Sequence, residues 1–361
     1  MKERIKKEES KKFKIVKGIE NIIKVKNEPE QRFIWKGIPE GSKGIITGVA
    51  KTGKTTFAEN LAISLSVGRK EFFGEALIGE PLKVLYVNLE EGYRLFARRN
   101  SKQIALLNEN EKKLFYENYI SIPEGFPEFL NEDEDWEILR EYISSSGADV
   151  VFIDSLSHMC VGEIEKSVIA QKFVQKFREY IVELGKTFII IHHNTKGNER
   201  PSAQDNIAGS RFILQEFEFA IGLENVPTSK GGNYMCMLYN KYIEKDDTTA
   251  SLYKVNGSGW VDYLGKQNKF ELYLEEKMQK TDRRVDTTSK DLIYNYFVSL
   301  NSLGSTTISS NQLMDKFVSS NTMVKDTLYN NIGKLIDEEK IVKVKKGVYN
   351  LKNENGDETR A

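Results

Sequence analysis

Cysteine is almost missing from this 361-residue chain: only Cys160 and Cys236 occur, with no paired spacing. That excludes a disulfide framework and a cysteine-built zinc site, and it fits a reducing cytoplasm. Histidine is scarcer than in most chains of this size, with three copies, two of them adjacent. Net charge is also lacking, since 53 Lys and Arg are matched by 53 Asp and Glu. Any contact with nucleic acid must then come from local basic patches and not from the field of the whole protein. No run approaches the ~20 apolar residues that span a bilayer, so no membrane partner is expected. The first residues, Met1-Lys2-Glu3-Arg4-Ile5-Lys6-Lys7-Glu8, lack the apolar core of a signal peptide. What remains is 39 % hydrophobic and 29 % charged, a soluble globular composition long enough for two domains.

The texture changes along the chain. Residues 1–30 are rich in Lys and Glu and read as a mobile or partner-packing arm, or as a solvated tail. From 31 to 262, short apolar runs at 44–47, 84–88, 119–122, 150–154 and 187–192 are separated by helical stretches. Such runs between helices predict an α/β domain, a mainly parallel sheet covered by helices on both faces. Runs at 217–223, 234–240 and 250–255 follow with short loops and predict antiparallel strands at its end. Residues 263–289 are highly charged and read as a helix and linker, 290–352 as a separate small domain, and 353–361 as a tail.

One motif determines chemistry by itself. Gly48-Val49-Ala50-Lys51-Thr52-Gly53-Lys54-Thr55 is G-x-x-x-x-G-K-[ST], the phosphate-binding loop of nucleoside triphosphatases, and Thr56 follows it. Its glycines let successive backbone N–H groups turn inward around phosphate oxygens. Lys54 brings a positive charge to the β- and γ-phosphates, and the Thr55 hydroxyl is placed to hold Mg²⁺. A strand before the loop and a stripe of Phe57, Leu61 and Leu65 after it supply the required context. The phosphates of ATP would sit on a helix N-terminus.

Three further strand ends carry candidates. Val150-Val151-Phe152-Ile153-Asp154 ends in an acid suited to holding Mg²⁺ beside the loop. Val84-Leu85-Tyr86-Val87-Asn88-Leu89-Glu90-Glu91 offers a base to orient or deprotonate the attacking water. Glu90 is the choice and Glu91 the reserve; the competing reading pairs either with Arg94, Arg98 or Arg99. Ile191-His192-His193-Asn194 places two histidines on opposite sides of a strand, which argues against one shared metal. His193 reads as a sensor of the γ-phosphate. The loop beyond it is polar and basic, and Lys196 and Arg200 in it are candidates for nucleic-acid phosphates.

These elements in this order resemble the RecA-type ATPases, and most closely their RepA-like hexameric helicase branch. The resemblance runs over about two-thirds of the chain. Its pieces are Trp35-Lys36-Gly37-Ile38-Pro39-Glu40-Gly41 before the first strand, the phosphate loop, Leu89-Glu90-Glu91, Asp154-Ser155-Leu156, His192-His193-Asn194-Thr195-Lys196 and Ala208-Gly209-Ser210-Arg211. It implies a RecA-like fold and Mg-ATP hydrolysis between subunits of a homo-oligomeric ring, of six copies in the named branch. Lys54 and Thr55 would bind phosphate and Mg²⁺, Glu90 would activate water, Asp154 would hold the metal and His193 would sense the γ-phosphate. A neighbouring subunit would insert a cation. The late strand offers Lys241-Tyr242-Ile243, a lysine without the usual following arginine, and Arg211 is the substitute.

The terminal region reads as helices near 291–300, 309–318 and 321–339 and a hairpin at 341–351. Three helices and a two-stranded wing resemble a winged helix-turn-helix, a reader of double-stranded DNA. Its third helix would present Thr322, Lys325, Thr327 and Asn331, and its wing Lys343, Lys345 and Lys346. A protein-docking role is the competing reading. Together these features predict a ring-forming DNA motor of a plasmid, phage or mobile element, acting on single-stranded and also double-stranded DNA. A DNA-binding ATP switch (an initiator, regulator or defence factor) is the alternative. A metabolic kinase fits less well, because no substrate lid is recognisable.

Overall fold

A computed structural model describes residues 15–160, 162, 167–193, 201–204, 207, 215–227, 231–246, 248–273, 288–320 and 322–352. The chain divides into two units, Met1–Arg32 and Phe33–Ala361. In the first, helix α1 (Gly18–Lys26) carries no buried residue, and Ile19, Ile22 and Ile23 are all exposed.

The second unit is organised by one nine-stranded sheet. After a small antiparallel pair, β1 (Phe33–Trp35) and β2 (Ile38–Pro39), the chain enters β3 (Lys43–Gly48). Helix α2 (Lys54–Ser66) and the pair β4 (Glu71–Phe72) and β5 (Glu75–Ala76) follow, then β6 (Val84–Asn88). Helices α3 (Tyr93–Ile104) and α4 (Glu109–Asn118) lead to β7 (Tyr119–Ser121), and α5 (Asp133–Ser146) leads to β8 (Val150–Asp154). The short α6 (Leu156–Met159) and then α7 (Ser167–Tyr180) precede β9 (Thr187–His193). Four more strands complete the sheet: β10 (Phe219–Asn225), β11 (Asn233–Asn240), β12 (Thr249–Val255) and β13 (Val261–Asn268).

The strand order is β13-β12-β11-β10-β3-β9-β8-β6-β7. The six strands from β10 to β7 are mutually parallel, and β11, β12 and β13 add antiparallel pairs. This is the expected mainly parallel α/β sheet. The period of two along a strand explains why its runs are continuously apolar. Val84 and Tyr86 pack with α2 residues Phe57, Leu61 and Leu65 on one face. Leu85 and Val87 pack with Trp136, Leu139 and Ile143 of α5 and Phe173 and Phe177 of α7 on the other. Leu61 is fully buried, and cutting it back to alanine would cost roughly 2–5 kcal/mol.

Three expectations need correction. The main sheet continues past 262: β13 runs to Asn268, so the segment read as the start of a charged linker is an edge strand. None of its residues is buried and half are exposed, which is why it looks like linker. The terminal elements are α8 (Ser289–Ser302), β14 (Ile308–Ser309), α9 (Ser310–Leu313, continuing as a wider π turn, Met314–Ser319), α10 (Lys325–Asp337), β15 (Ile341–Lys345) and β16 (Val348–Leu351). The last helix begins at Lys325 and not at 321. Asn331 does not face solvent as expected. It is 8 % exposed, because 328, 331, 332 and 335 share the helix face that buries Leu328, Ile332 and Leu335. Lys325, Lys343, Lys345 and Lys346 are exposed. Among the described residues, no helix is long and apolar enough to cross a membrane.

Candidate functional site

The register of the parallel strands brings their carboxyl ends to one edge. Gly48 lies opposite His193 on one side and Leu223 on the other; Asp154 lies opposite Asn88 and Ile191. Strand β9 is thus inserted between the strand that feeds the phosphate loop and the strand that ends in Asp154. Open parallel sheets bind ligands at this kind of edge.

The loop backbone is shaped for close approach. A Cβ on Gly48 would stand 1.9 Å from the Leu223 carbonyl oxygen, a rigid backbone atom. Lys51 adopts a left-handed φ of 66°, and Gly53, with φ 80°, caps α2. The Tyr253 hydroxyl donates to the Thr52 carbonyl at 2.7 Å and props the loop from behind. The Lys54 ammonium is buried and donates to the Val49 carbonyl at 2.8 Å. Burial lowers its pKa, while Asp154, Glu90 and Glu224 oppose that shift. The charges of these three acids thus act on the ammonium.

Asp154 is 1 % exposed. Burial pushes its carboxyl up to about 6; the Thr55 hydroxyl works against this, the Glu90 charge adds to it, and the Tyr86 hydroxyl again opposes it. Tyr86 donates to Oδ2 at 3.3 Å, whereas Oδ1 is buried with no hydrogen-bond partner of ordinary length. An orphaned carboxylate oxygen beside a threonine hydroxyl fits Mg²⁺, a hard cation held by one or two protein oxygens plus phosphates. Among the described residues, no cluster of three or more His, Cys, Asp or Glu forms a closed metal cage.

Glu90 and Glu91 are separated by their surroundings. The Leu89 and Glu90 N–H groups both donate to the Asp154 carbonyl, at 2.6 and 3.1 Å. Glu90 is about half exposed, and its Oε2 lies 3.6 Å from His193 Nε2. Glu91 instead pairs with Arg99 at 2.6 Å. Burial lowers the His193 pKa, the Lys54 charge adds to this, and Glu90 opposes it. His192 is buried on the other side of β9. His158, near the same edge, stacks on Phe129 at 4.7 Å.

The structure thus gathers Lys54, Thr55, Glu90, Asp154 and His193 from four segments. Lys241 is not among them. It is exposed and follows β11, whose end pairs with Phe219 at the opposite edge of the sheet. Arg211, Lys196 and Arg200 lie outside the described residues. Three participants escaped the sequence reading: Glu224, whose charge acts on Lys54, Tyr86 on Asp154 and Tyr253 behind the loop. Tyr86 alone left a signal, a tyrosine inside an otherwise aliphatic strand.

A phosphate loop entering a helix, an acid two strands away and one intervening strand between them define a RecA-type P-loop ATPase, a nucleotide-binding protein. The AAA domain family matches residues 13–199, just over half of the chain, and the chain belongs to that family. No curated protein matches it. Among solved structures, the chain is similar to a KaiC-like protein from the hyperthermophilic archaeon Pyrococcus horikoshii OT3. That likeness has 16 % identity and a TM-score of 0.44, and covers 64 % of this chain and 93 % of the other.

Proposed function

We propose that this chain hydrolyses Mg-ATP between copies of itself and uses the cycle to move on DNA, as a ring-forming motor of a plasmid, phage or mobile element. The observation that carries the hydrolytic half is the convergence of buried Lys54, Asp154 with its unpartnered Oδ1, and half-exposed Glu90 at one sheet edge. Thr55 and Asp154 would hold Mg²⁺. When bound, the ion would supply positive charge that neutralises the leaving group. Glu90 accepts a proton from water as the water oxygen bonds to the γ-phosphorus and the bond to the β-phosphate oxygen breaks. Lys54 leaves the Val49 carbonyl for the γ-phosphate oxygens, where charge grows in the transition state. His193, in contact with Glu90, senses the γ-phosphate.

Support for a shared site comes from the position of Lys241. It is exposed and remote from its own phosphate loop, as a cation serving a neighbour's site must be. Support for DNA comes from the terminal elements, read as a winged helix that offers Lys325, Lys343, Lys345 and Lys346 to solvent. An ATP switch without processive unwinding is the second reading. It is favoured by Ile243, which stands where related motors place the arginine. Particle mass with and without ATP, DNA-stimulated ATPase activity and strand displacement on a forked duplex test the set. The motor reading expects nucleotide-dependent rings and displacement; rings without displacement support the switch. A strict monomer whose ATPase ignores DNA would overturn both.

A further inference from the structure

Glu59 is a carboxylate with no exposure at all, on the phosphate-loop helix α2. The site described above does not use it. Such a group persists only if it is paired and hydrogen-bonded. Arg99, from α3, supplies the pairing: its Nε lies 2.9 and 2.8 Å from the two Glu59 oxygens and its Nη2 lies 2.8 Å from one of them. Gln103, one turn further along α3, donates to Glu59 at 2.8 Å. The same Arg99 Nη2 reaches Glu91 at 2.6 Å. One guanidinium therefore joins the helix that carries the phosphate loop to the residue next to Glu90.

The other side of that residue is held as well. The Asn88 side chain donates to the Glu91 carbonyl at 2.8 Å and accepts from the Glu91 N–H at 3.2 Å. The Glu90 N–H is tied to the Asp154 carbonyl. The Glu90 backbone is thus pinned from both directions, although its own carboxylate stays half exposed. A planar guanidinium is suited to this task, because it holds Glu59 by directed hydrogen bonds and still offers charge to Glu91, where an ammonium would be a point charge.

We infer that Arg99 and Glu91 are positioning residues: a clamp from Glu59 of the phosphate-loop helix that sets where Glu90 stands relative to the γ-phosphate. The inference rests on the reading of Glu90 as the base. Glu91→Ala cuts the link to Arg99 while leaving the buried Glu59–Arg99 pair and the backbone bonds of Glu90 and Glu91 intact. Arg99→Lys keeps a charge for Glu59 and gives up the planar guanidinium. Both should lower kcat about 10–100-fold, the cost of an ~1 Å misplacement of a reacting group. KM for ATP should change by less than about threefold, since the phosphate cradle is untouched. The double variant should lose no more than the worse single variant, because both cut one linkage.

The test is steady-state ATP hydrolysis by the full chain, with thermal melting of each variant and Glu90→Gln as control. Loss of kcat at constant KM, with the Glu91→Ala melting temperature within about 2 °C of the parent, is the expected result. Parent-like kcat in Glu91→Ala and Arg99→Lys, with Glu90→Gln inactive, overturns the clamp alone. A kcat loss that merely tracks lost thermal stability also overturns it. Parent-like kcat in Glu90→Gln marks failure of the base assignment itself.

Discussion

The nucleotide edge of the main sheet and the elements after residue 288 both display charge, but on opposite terms. At the edge, Lys54 and Asp154 are buried. In the terminal elements, Lys325, Lys343, Lys345 and Lys346 stand in solvent. Taking an ionised side chain out of water costs several kcal/mol unless a partner or a ligand compensates. Buried charges are therefore informative, since the fold tolerates them only for a reason. Exposed lysines cost nothing to keep and point to a partner only as a group. Charge in the two regions therefore carries different weight, and experiments can sharpen or break that contrast.

The largest effect is expected at the loop. Lys54→Ala should lower ATP hydrolysis by about 10²–10³-fold or more, because it removes the main protein charge placed for the transferring phosphoryl group. A colorimetric phosphate assay at saturating Mg-ATP decides this. Hydrolysis at the parent rate would mean that the buried ammonium serves packing, and the contrast would lose its foundation.

Next is Asp154, where pH gives a sign as well as a size. Its folded pKa of about 6 lies above the ordinary 3.8, so the folded state binds the proton more tightly than the unfolded state. Without Mg²⁺, its contribution to stability is greatest below about pH 4 and is lost as pH rises through 6, by about 3 kcal/mol. Glu59 is shifted in the same direction by burial, so the comparison must be parent against Asp154→Asn. Melting curves from pH 4 to 7 should show the parent losing more stability than the variant. Added Mg-ATP should restore the parent near pH 7 and leave the variant behind. Equal pH dependence in the two proteins would refute a poised, orphaned carboxylate.

Legibility in the sequence followed the same division. The strands Val84–Asn88 and Val150–Asp154 were readable to the residue, because both faces are covered and the apolar run has no interruption. The phosphate loop was readable because its backbone geometry demands glycines at set places. The role of Glu59 was not, because a glutamate in a helix gives no sign of burial until α3 packs on it. Glu224 and Tyr253 reach the loop from far along the chain, and only sheet register brings them there. Residues 263–268 of the edge strand Val261–Asn268 read as linker, since none of the strand is fully buried and it has little need for apolar residues. In each miss the deciding interaction lies between segments distant in sequence.

A smaller effect is expected in the terminal elements. Replacing Lys343, Lys345 and Lys346 together by alanine should weaken double-stranded DNA binding about tenfold near 0.15 M salt. The slope of log affinity against log salt should shrink by about 0.9 for each phosphate that is no longer neutralised. Basal ATP hydrolysis without DNA should stay at the parent level. Fluorescence anisotropy across a salt series gives both quantities. An unchanged slope would assign these lysines to solvation and leave the terminal elements as a docking module.

The smallest effect separates packing from recognition within one helix. Asn331 shares the buried face of α10 with Leu328, Ile332 and Leu335 and is 8 % exposed. Lys325 begins the same helix in solvent. If burial governs, Asn331→Ala should destabilise the protein by about 1 kcal/mol, the ordinary cost of a change in a packed position, and leave DNA affinity alone. Lys325→Ala should do the reverse, with melting unchanged and affinity lowered. A base-reading role for Asn331 predicts instead about 1–3 kcal/mol of lost discrimination between DNA sequences at unchanged stability. Because the two accounts exchange which variant moves which measurement, melting and anisotropy on this pair decide between them even though neither shift is large.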